Sequence, residues 1–247
     1  PIPSRGLGDV YKRQAFEVSS NTALVQIIND NYQDKPEKFV EGLFDMKINT
    51  PLGLPILGEG VPKFTHPNDK VNWDGLDLPW MAFGYGISLT PLQTLTFYNA
   101  IANNGVMVKP RFIKEVKQFD QVVEKFDTEI ISSSICSQET IDKVKNMMKN
   151  VVEKEHGTAH NIYSEDFSMA GKTGTCQTEY WKSEGLYISS FAGYFPADNP
   201  KYSCIVVIHK PNKTKGYYGN VVAAPVFKDI AQKLSLIHIS EPTRRYR

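Results

Sequence analysis

Lys172-Thr173-Gly174-Thr175 is the stretch of this chain whose residue types can do chemistry together. A strand reading Lys-Thr-Gly-Thr suits acyl transfer through a serine in three ways. The Lys supplies a positive field, the hydroxyls hold a substrate carboxylate, and the Gly lets a peptide lie against the strand edge. Four residues alone carry little weight as a motif. Each also has an ordinary reading: Lys172 as a solvated strand lysine, and Thr173 and Thr175 as residues chosen for β propensity. Gly174, inside a β-rich run, is the hardest of the four to explain that way. Far upstream, Ser19, Ser20 and Asn21 offer a second polar cluster, which taken alone reads as the cap of a helix.

The elements that must position these residues are legible from periodicity and turn chemistry. An amphipathic helix is expected over Ser20–Asn31, with Ala23, Leu24, Ile27 and Ile28 on one face. A second starts at Pro36 and turns Phe39, Leu43 and Phe44 inward. Residues 49–86 are punctuated by Pro and Gly and keep no period, a length that usually marks a functional loop. Its Trp73, Trp80 and Phe83 read as loop anchors before they read as a partner surface. Thr90-Pro91-Leu92-Gln93 spells a capping box, and that helix should end at Asn103-Asn104-Gly105. Strands around 111–119 and 122–126 form a hairpin through Asp120-Gln121, and Ser137 caps a helix to about Lys154 with Ile141, Val144, Met148 and Val151 inward. The last third reads as a meander of Phe167–Cys176, Tyr187–Phe195 and Tyr202–His209, turning at Asp198-Asn199-Pro200. A closing helix over Asn220–Leu234 would be capped by Asn220 and face the sheet with Val222, Val226 and Ile230.

Five ordered stretches give the two polar clusters a common meaning. They are Val18-Ser19-Ser20-Asn21-Thr22-Ala23, Gly84-Tyr85-Gly86-Ile87-Ser88-Leu89-Thr90-Pro91-Leu92-Gln93, Gly157-Thr158-Ala159, Ala170–Gln177, and Phe191–Pro196 with Val222–Phe227. In this order the chain resembles the class B penicillin-binding transpeptidases, most like the cell-division type, over about Ala15–Leu234. The resemblance implies an α/β fold of the penicillin-binding and serine β-lactamase kind: an antiparallel sheet flanked by helices, five-stranded in the family, truncated here at its N-terminal side. An exposed sheet edge is expected. It also implies a DD-transpeptidase that cross-links peptidoglycan stem peptides ending in D-Ala-D-Ala through an acyl-serine, and that binds β-lactams. The intact protein would be anchored in the inner membrane, face the periplasm or cell exterior, and meet divisome membrane proteins. A serine β-lactamase, a penicillin-sensing domain, or a non-catalytic scaffold of the same fold are the alternatives, disfavoured by the Thr-Pro-Leu-Gln helix and the long loop.

The family pattern assigns roles by position. Ser19 would relay protons between amine and nucleophile, and Asn21 would hold the acyl-chain amide and the catalytic lysine of the missing motif. Lys172 would raise the local potential, Thr173 and Thr175 would hold the terminal carboxylate, and the Thr175 N–H would be one oxyanion donor. Gly174 would let substrate backbone add along the strand. Tyr180-Trp181 would border the cleft. One part departs from the pattern: no Ser in the chain is followed three places later by Lys, so the family's Ser-x-x-Lys nucleophile is missing and the chain alone is expected to be inactive. Residues 1–14 and 235–247 look like translated adapter remnants, leaving 15–234 as a partial domain.

Composition narrows little further. The chain has 247 residues, a formal net charge of +1 and 22% charged residues, which points away from nucleic acid. Apolar runs fall short of the roughly 18 residues that span a bilayer. Cys136, Cys176 and Cys204 are too scattered for a metal site or disulfide framework; Cys204 reads as core and Cys176 as packing. His66, His156, His160 and His209 lack metal-ligand spacing, so no metal or other cofactor is implied.

Overall fold

The computed structural model describes residues 5–178 and 185–239, in the order α1 (Arg5–Glu17), α2 (Asn21–Tyr32), α3 (Pro36–Asp45), β1 (Lys63–Phe64), α4 (Asp77–Met81), β2 (Ile87–Ser88), α5 (Pro91–Ala102), β3 (Met107–Val108), β4 (Glu115–Gln118), β5 (Gln121–Lys125), β6 (Ile130–Ser132), α6 (Gln138–Glu153), β7 (Ala170–Thr178), β8 (Leu186–Phe195), β9 (Tyr202–His209), α7 (Gly219–Val222) and α8 (Ala224–Ile239). They form two compact units: Leu24–Asp142, and the flanking segments that precede Leu24 and follow Asp142. None of the described helices is long and apolar enough to cross a membrane.

In the Leu24–Asp142 unit the expected helices form; the apolar faces of α2 and α3 are mostly half-buried, whereas α5 buries Gln93, Thr96, Ala100, Ile101 and Ala102. Val40 is the buried residue of α3, while Phe39, Leu43 and Phe44 are half-buried. The capping box of α5 is complete: Thr90 Oγ1 accepts from Gln93 N at 3.2 Å, and Thr90 N donates to Gln93 Oε1 at 2.8 Å. Gln93 also ties the long 49–86 segment down, its Nε2 donating to Gly60 O at 2.7 Å. Next to it, the Glu59 carboxylate accepts from the N–H groups of Leu54 and Leu52, which hold its carboxyl below the usual range. Trp80, Phe83 and Tyr85 pack on one another at ring centroids of 5.0 to 5.5 Å, so these aromatics anchor the segment to itself. The hairpin β4–β5 turns one residue earlier than expected, at Phe119-Asp120, where both residues have positive φ (50° and 64°). That pair of left-handed residues is the type I′ geometry favoured by strand twist; Phe at such a position gives no sequence signal.

The other unit carries a three-stranded antiparallel sheet in the order β7-β8-β9. β7 starts at Ala170 rather than Phe167 and runs to Thr178, paired throughout with β8 from Ala170↔Tyr194 to Thr178↔Leu186. Among the described residues β7 and β9 each pair only with β8, so both sheet edges are open. One face packs on a cluster that includes Val151, Val152, Ile162, Phe191, Phe195 and Phe227, with Phe227 rings 4.7 Å from Phe191 and 5.5 Å from Phe195. Along α6 the buried residues are Ile141, Met148, Val151 and Val152, with Val144 half-buried, and Cys204 is half-buried against the same cluster as Val151 and Val152 rather than fully core.

The closing helix differs from the expectation in two ways. It is broken into α7 and α8 at Ala223, because Pro225 has no N–H to continue the ladder. The fully buried face is Ala223, Ala224, Phe227 and Ala231, leaving Val226 42% exposed, while Val222 is half-buried and Ile230 packs half-buried against the core cluster as expected. The cap of α7 is Tyr218, not Asn220, which lies inside the helix with its carbonyl accepting from Asn161 Nδ2 at 2.8 Å. At the two ends, Val10 and Tyr11 of α1 are exposed, and α8 continues past Leu234 to Ile239; the side chains of Ile237 and Ile239 lie outside the description. The corrected face makes a direct expectation. Phe227→Ala should destabilise this unit by about 3–5 kcal/mol, as loss of a buried aromatic does. Val226→Ala should change stability by no more than about 0.5 kcal/mol. Denaturant unfolding of both variants checks it.

Candidate active site

Ser19 occupies an uncommon backbone position, and the end of α1 is what puts it there. Ser20 N donates to Ala15 O at 2.9 Å and Ser19 N to Phe16 O at 3.1 Å, the paired bonds of a Schellman helix end. The residue that such an end holds left-handed is usually Gly; here it is Ser19, with φ of 54°. A non-glycine residue in that region stores about 1–3 kcal/mol of strain and persists only where its surroundings hold it. The next residue starts the following helix, since Ser20 Oγ accepts from Ala23 N at 3.3 Å and α2 begins at Asn21. The capping role thus falls to Ser20 and leaves the hydroxyl of the adjacent Ser19 outside the helix cap.

Lys172 meets Ser19 across 153 residues of sequence, its Nζ donating to Ser19 Oγ at 2.7 Å. The same ammonium contacts Thr173 O at 3.2 Å and Thr173 Oγ1 at 3.4 Å, and lies 5.8 Å from the centre of the Phe16 ring. No carboxylate is among these partners. Burial without a counter-charge disfavours the ammonium and pulls the Lys172 pKa down to about 8 from an ordinary 10.5. Charged, Lys172 only donates; neutral, its lone pair can accept the Ser19 proton.

The polar chain continues along β7. Thr173 Oγ1 lies 3.0 Å from Thr158 Oγ1, and Thr175 Oγ1 accepts from Gly219 N at 3.0 Å. Thr175 is exposed, and its hydroxyl retains a proton to donate to an anion. Gly219 allows α7 to lie on the strand: a Cβ there would sit 2.6 Å from Gly174 O and 2.5 Å from Ser190 O, whereas one on Gly174 would meet only Ser190 Oγ of the paired strand, at 2.6 Å. Both are closer than real Cβ contacts, but Gly219 is opposed by fixed backbone whereas Gly174 is opposed by a hydroxyl that can turn away, so packing explains Gly219 and leaves Gly174 open to the site reading.

The structure therefore brings Ser19, Lys172 and Thr173 into direct contact and sets Gly174 and Thr175 next along the same strand. Asn21 is exposed at the first position of α2 and is not among the hydrogen-bond partners of Lys172. Tyr180 and Trp181 lie outside the described residues. Sequence reasoning gave no role to Thr158, although Gly157-Thr158-Ala159 stood out as a motif, and read Gly219 only as part of a turn. No periodicity signals either contact, since one joins a turn and the other a helix start to a distant strand.

The fold is that of an α/β penicillin-binding transpeptidase domain. The family model for the penicillin binding protein transpeptidase domain matches residues 4–232, and this chain belongs to that family. Peptidoglycan D,D-transpeptidase FtsI of Buchnera aphidicola is 32% identical over 205 residues, covering 81% of this chain and 33% of that protein. Penicillin-binding protein PbpB of Mycolicibacterium smegmatis is 33% identical over 217 residues, covering 82% of this chain and 32% of that protein. Among solved structures, penicillin binding protein 3 from Mycobacterium tuberculosis in its apo form superposes with a TM-score of 0.74 at 28% identity, over 92% of this chain and 51% of that one. The same protein complexed with ampicillin gives 0.74 at 27% identity, over 95% of this chain and 53% of that one. The chain spans about a third of the length of these curated relatives.

The buried lysine has a stability signature. Between its folded value of about 8 and the ordinary 10.5, the unfolded chain binds more protons than the folded one, so stability should rise with pH across that window. Below about 8 the burial penalty is fully present. Lys172→Met should abolish this rise, which urea midpoints on either side of the window would show.

Proposed function

We propose that the longer protein to which this chain belongs is a serine-type D-Ala-D-Ala transpeptidase that cross-links peptidoglycan stem peptides and is acylated by β-lactams. The observation that carries this reading is the 2.7 Å contact between Lys172 of the Lys-Thr-Gly-Thr strand and Ser19 of Ser-Ser-Asn. In the reaction a serine hydroxyl attacks the carbonyl between the last two D-Ala residues. The C–N bond breaks, D-Ala leaves with the proton, and the acyl group then passes to an acceptor amine. Ser19 and Lys172 relay protons beside that carbonyl. Thr173 and Thr175 hold the terminal carboxylate, Gly174 admits the peptide to the open edge of β7, and the Thr175 N–H serves as one oxyanion donor. Asn21, exposed at the start of α2, contacts the acyl-chain amide.

The attacking serine belongs to a Ser-x-x-Lys that this sequence does not contain, and we place it in the portion of the longer protein that precedes Val18. The same portion would carry the membrane anchor, with the transpeptidase domain facing the periplasm or cell exterior and divisome membrane proteins as partners. The curated relatives support this, since the chain matches only about a third of their length and one of them is named peptidoglycan D,D-transpeptidase.

A fluorescent penicillin tests the reading. The chain as given should form no stable adduct, and the longer protein with its Ser-x-x-Lys should be labelled. Lys172→Ala in that protein should slow labelling on the order of 100- to 1000-fold, the usual effect of losing one transition-state contact. Labelling of the chain alone that survives Ser19→Ala, or a Lys172→Ala protein labelled at the native rate, would refute the assignment.

A further inference from the structure

The hydrogen bonds behind the Ser19 turn converge on a single carboxylate. Glu17 is the last residue of α1 and only 5% exposed. Its Oε1 accepts from Asn150 Nδ2 at 2.7 Å, and its Oε2 lies 2.6 Å from His156 Nε2. Its backbone carbonyl accepts from Thr158 N at 3.1 Å. All three partners come from one short stretch, the end of α6 and the turn after it. That stretch also touches the catalytic strand, through the Thr158 and Thr173 hydroxyls. A buried carboxylate is costly unless paired, and here it is met on both oxygens. A plain helix end would not need one, since the Schellman bonds already satisfy the backbone. What the carboxylate adds is a fixed attachment of the α1 end to residues 150–158, two positions before a serine held in a strained conformation.

We propose that Glu17 is a positioning residue for the Ser19–Lys172 pair: gripped by Asn150 and His156, it fixes the end of α1 so that Ser19 keeps its left-handed backbone and its Oγ stays on Lys172 Nζ. The role of the pair in catalysis rests on the proposed function; the positioning itself is a property of this chain and is testable in it.

The test is an NMR titration of the Lys172 side chain in the native chain and in Glu17→Ala, Glu17→Gln and His156→Ala. The native midpoint should lie near 8. In Glu17→Ala the turn loosens and water reaches the ammonium, so the midpoint should rise by roughly one pH unit or more towards the free value. Glu17→Gln keeps an acceptor for Asn150 and should stay close to native. His156→Ala removes only one of the two grips, at a side chain that is 44% exposed, so it should be tolerated even where Glu17→Ala is not, and it should raise the midpoint by a smaller amount. A mere charge effect of Glu17 acts the other way, lowering the midpoint equally in Glu17→Ala and Glu17→Gln, and that result overturns the proposal. So does a native midpoint near 8 that is unmoved in folded His156→Ala and Glu17→Ala. An ordinary lysine midpoint in the native chain would instead remove the Ser19–Lys172 pair itself, and the site reading with it.

Discussion

An ammonium withdrawn from water, with no carboxylate beside it among the described residues, is the constraint around which this site is built. Lys172 loses hydration and gains two hydroxyls, a carbonyl and the face of Phe16. Such a group stays put only if its few partners are held rigidly, because each is weak alone and water is the competitor. The rigidity comes from both directions. From one side, β7 is paired with β8 at every residue from Ala170 to Thr178, which fixes where Lys172 leaves the sheet. From the other, the Schellman end of α1 fixes Ser19. Neither element makes the site without the other.

The same economy of space governs the acceptor end of the strand. α7 lies so close to β7 that its first residue must be Gly219, and its backbone N–H is thereby delivered to the Thr175 hydroxyl. Packing behind the sheet supplies the reference frame: Phe191 and Phe195 of β8 meet Phe227 of α8, and the break before Pro225 turns that ring inward. The open edge of β7 is left as the surface to which an extended peptide can add.

Much of this was legible from the sequence because the signals are local. The Thr90–Gln93 capping box, the helix starting at Pro36, the meander and the Asn103–Gly105 stop all rest on residues within a few places of one another, and all form. What was not legible depends on contacts between distant segments. The buried face of α8 follows from where Pro225 resets the helix, so Val226 points outward although periodicity alone turns it inward. The β4–β5 turn falls on Phe119, which nothing in its type recommends for a left-handed turn. In the site, Ser19, Lys172, Thr173, Gly174 and Thr175 could be named from motifs, whereas Thr158, Gly219 and Glu17 owe their places to hydrogen bonds spanning 15, 44 and 133 residues. A motif names the candidate site residues, and only the fold names those that hold them.

The most direct measurement is a crystal structure of the longer protein acylated by ampicillin. The drug carboxylate is expected within hydrogen-bond reach of the Thr173 and Thr175 hydroxyls, about 2.6–3.2 Å, with Lys172 Nζ still on Ser19 Oγ. A drug carboxylate bound away from β7, or a Lys172 side chain swung out into solvent with Ser19 released, would contradict the site as assigned.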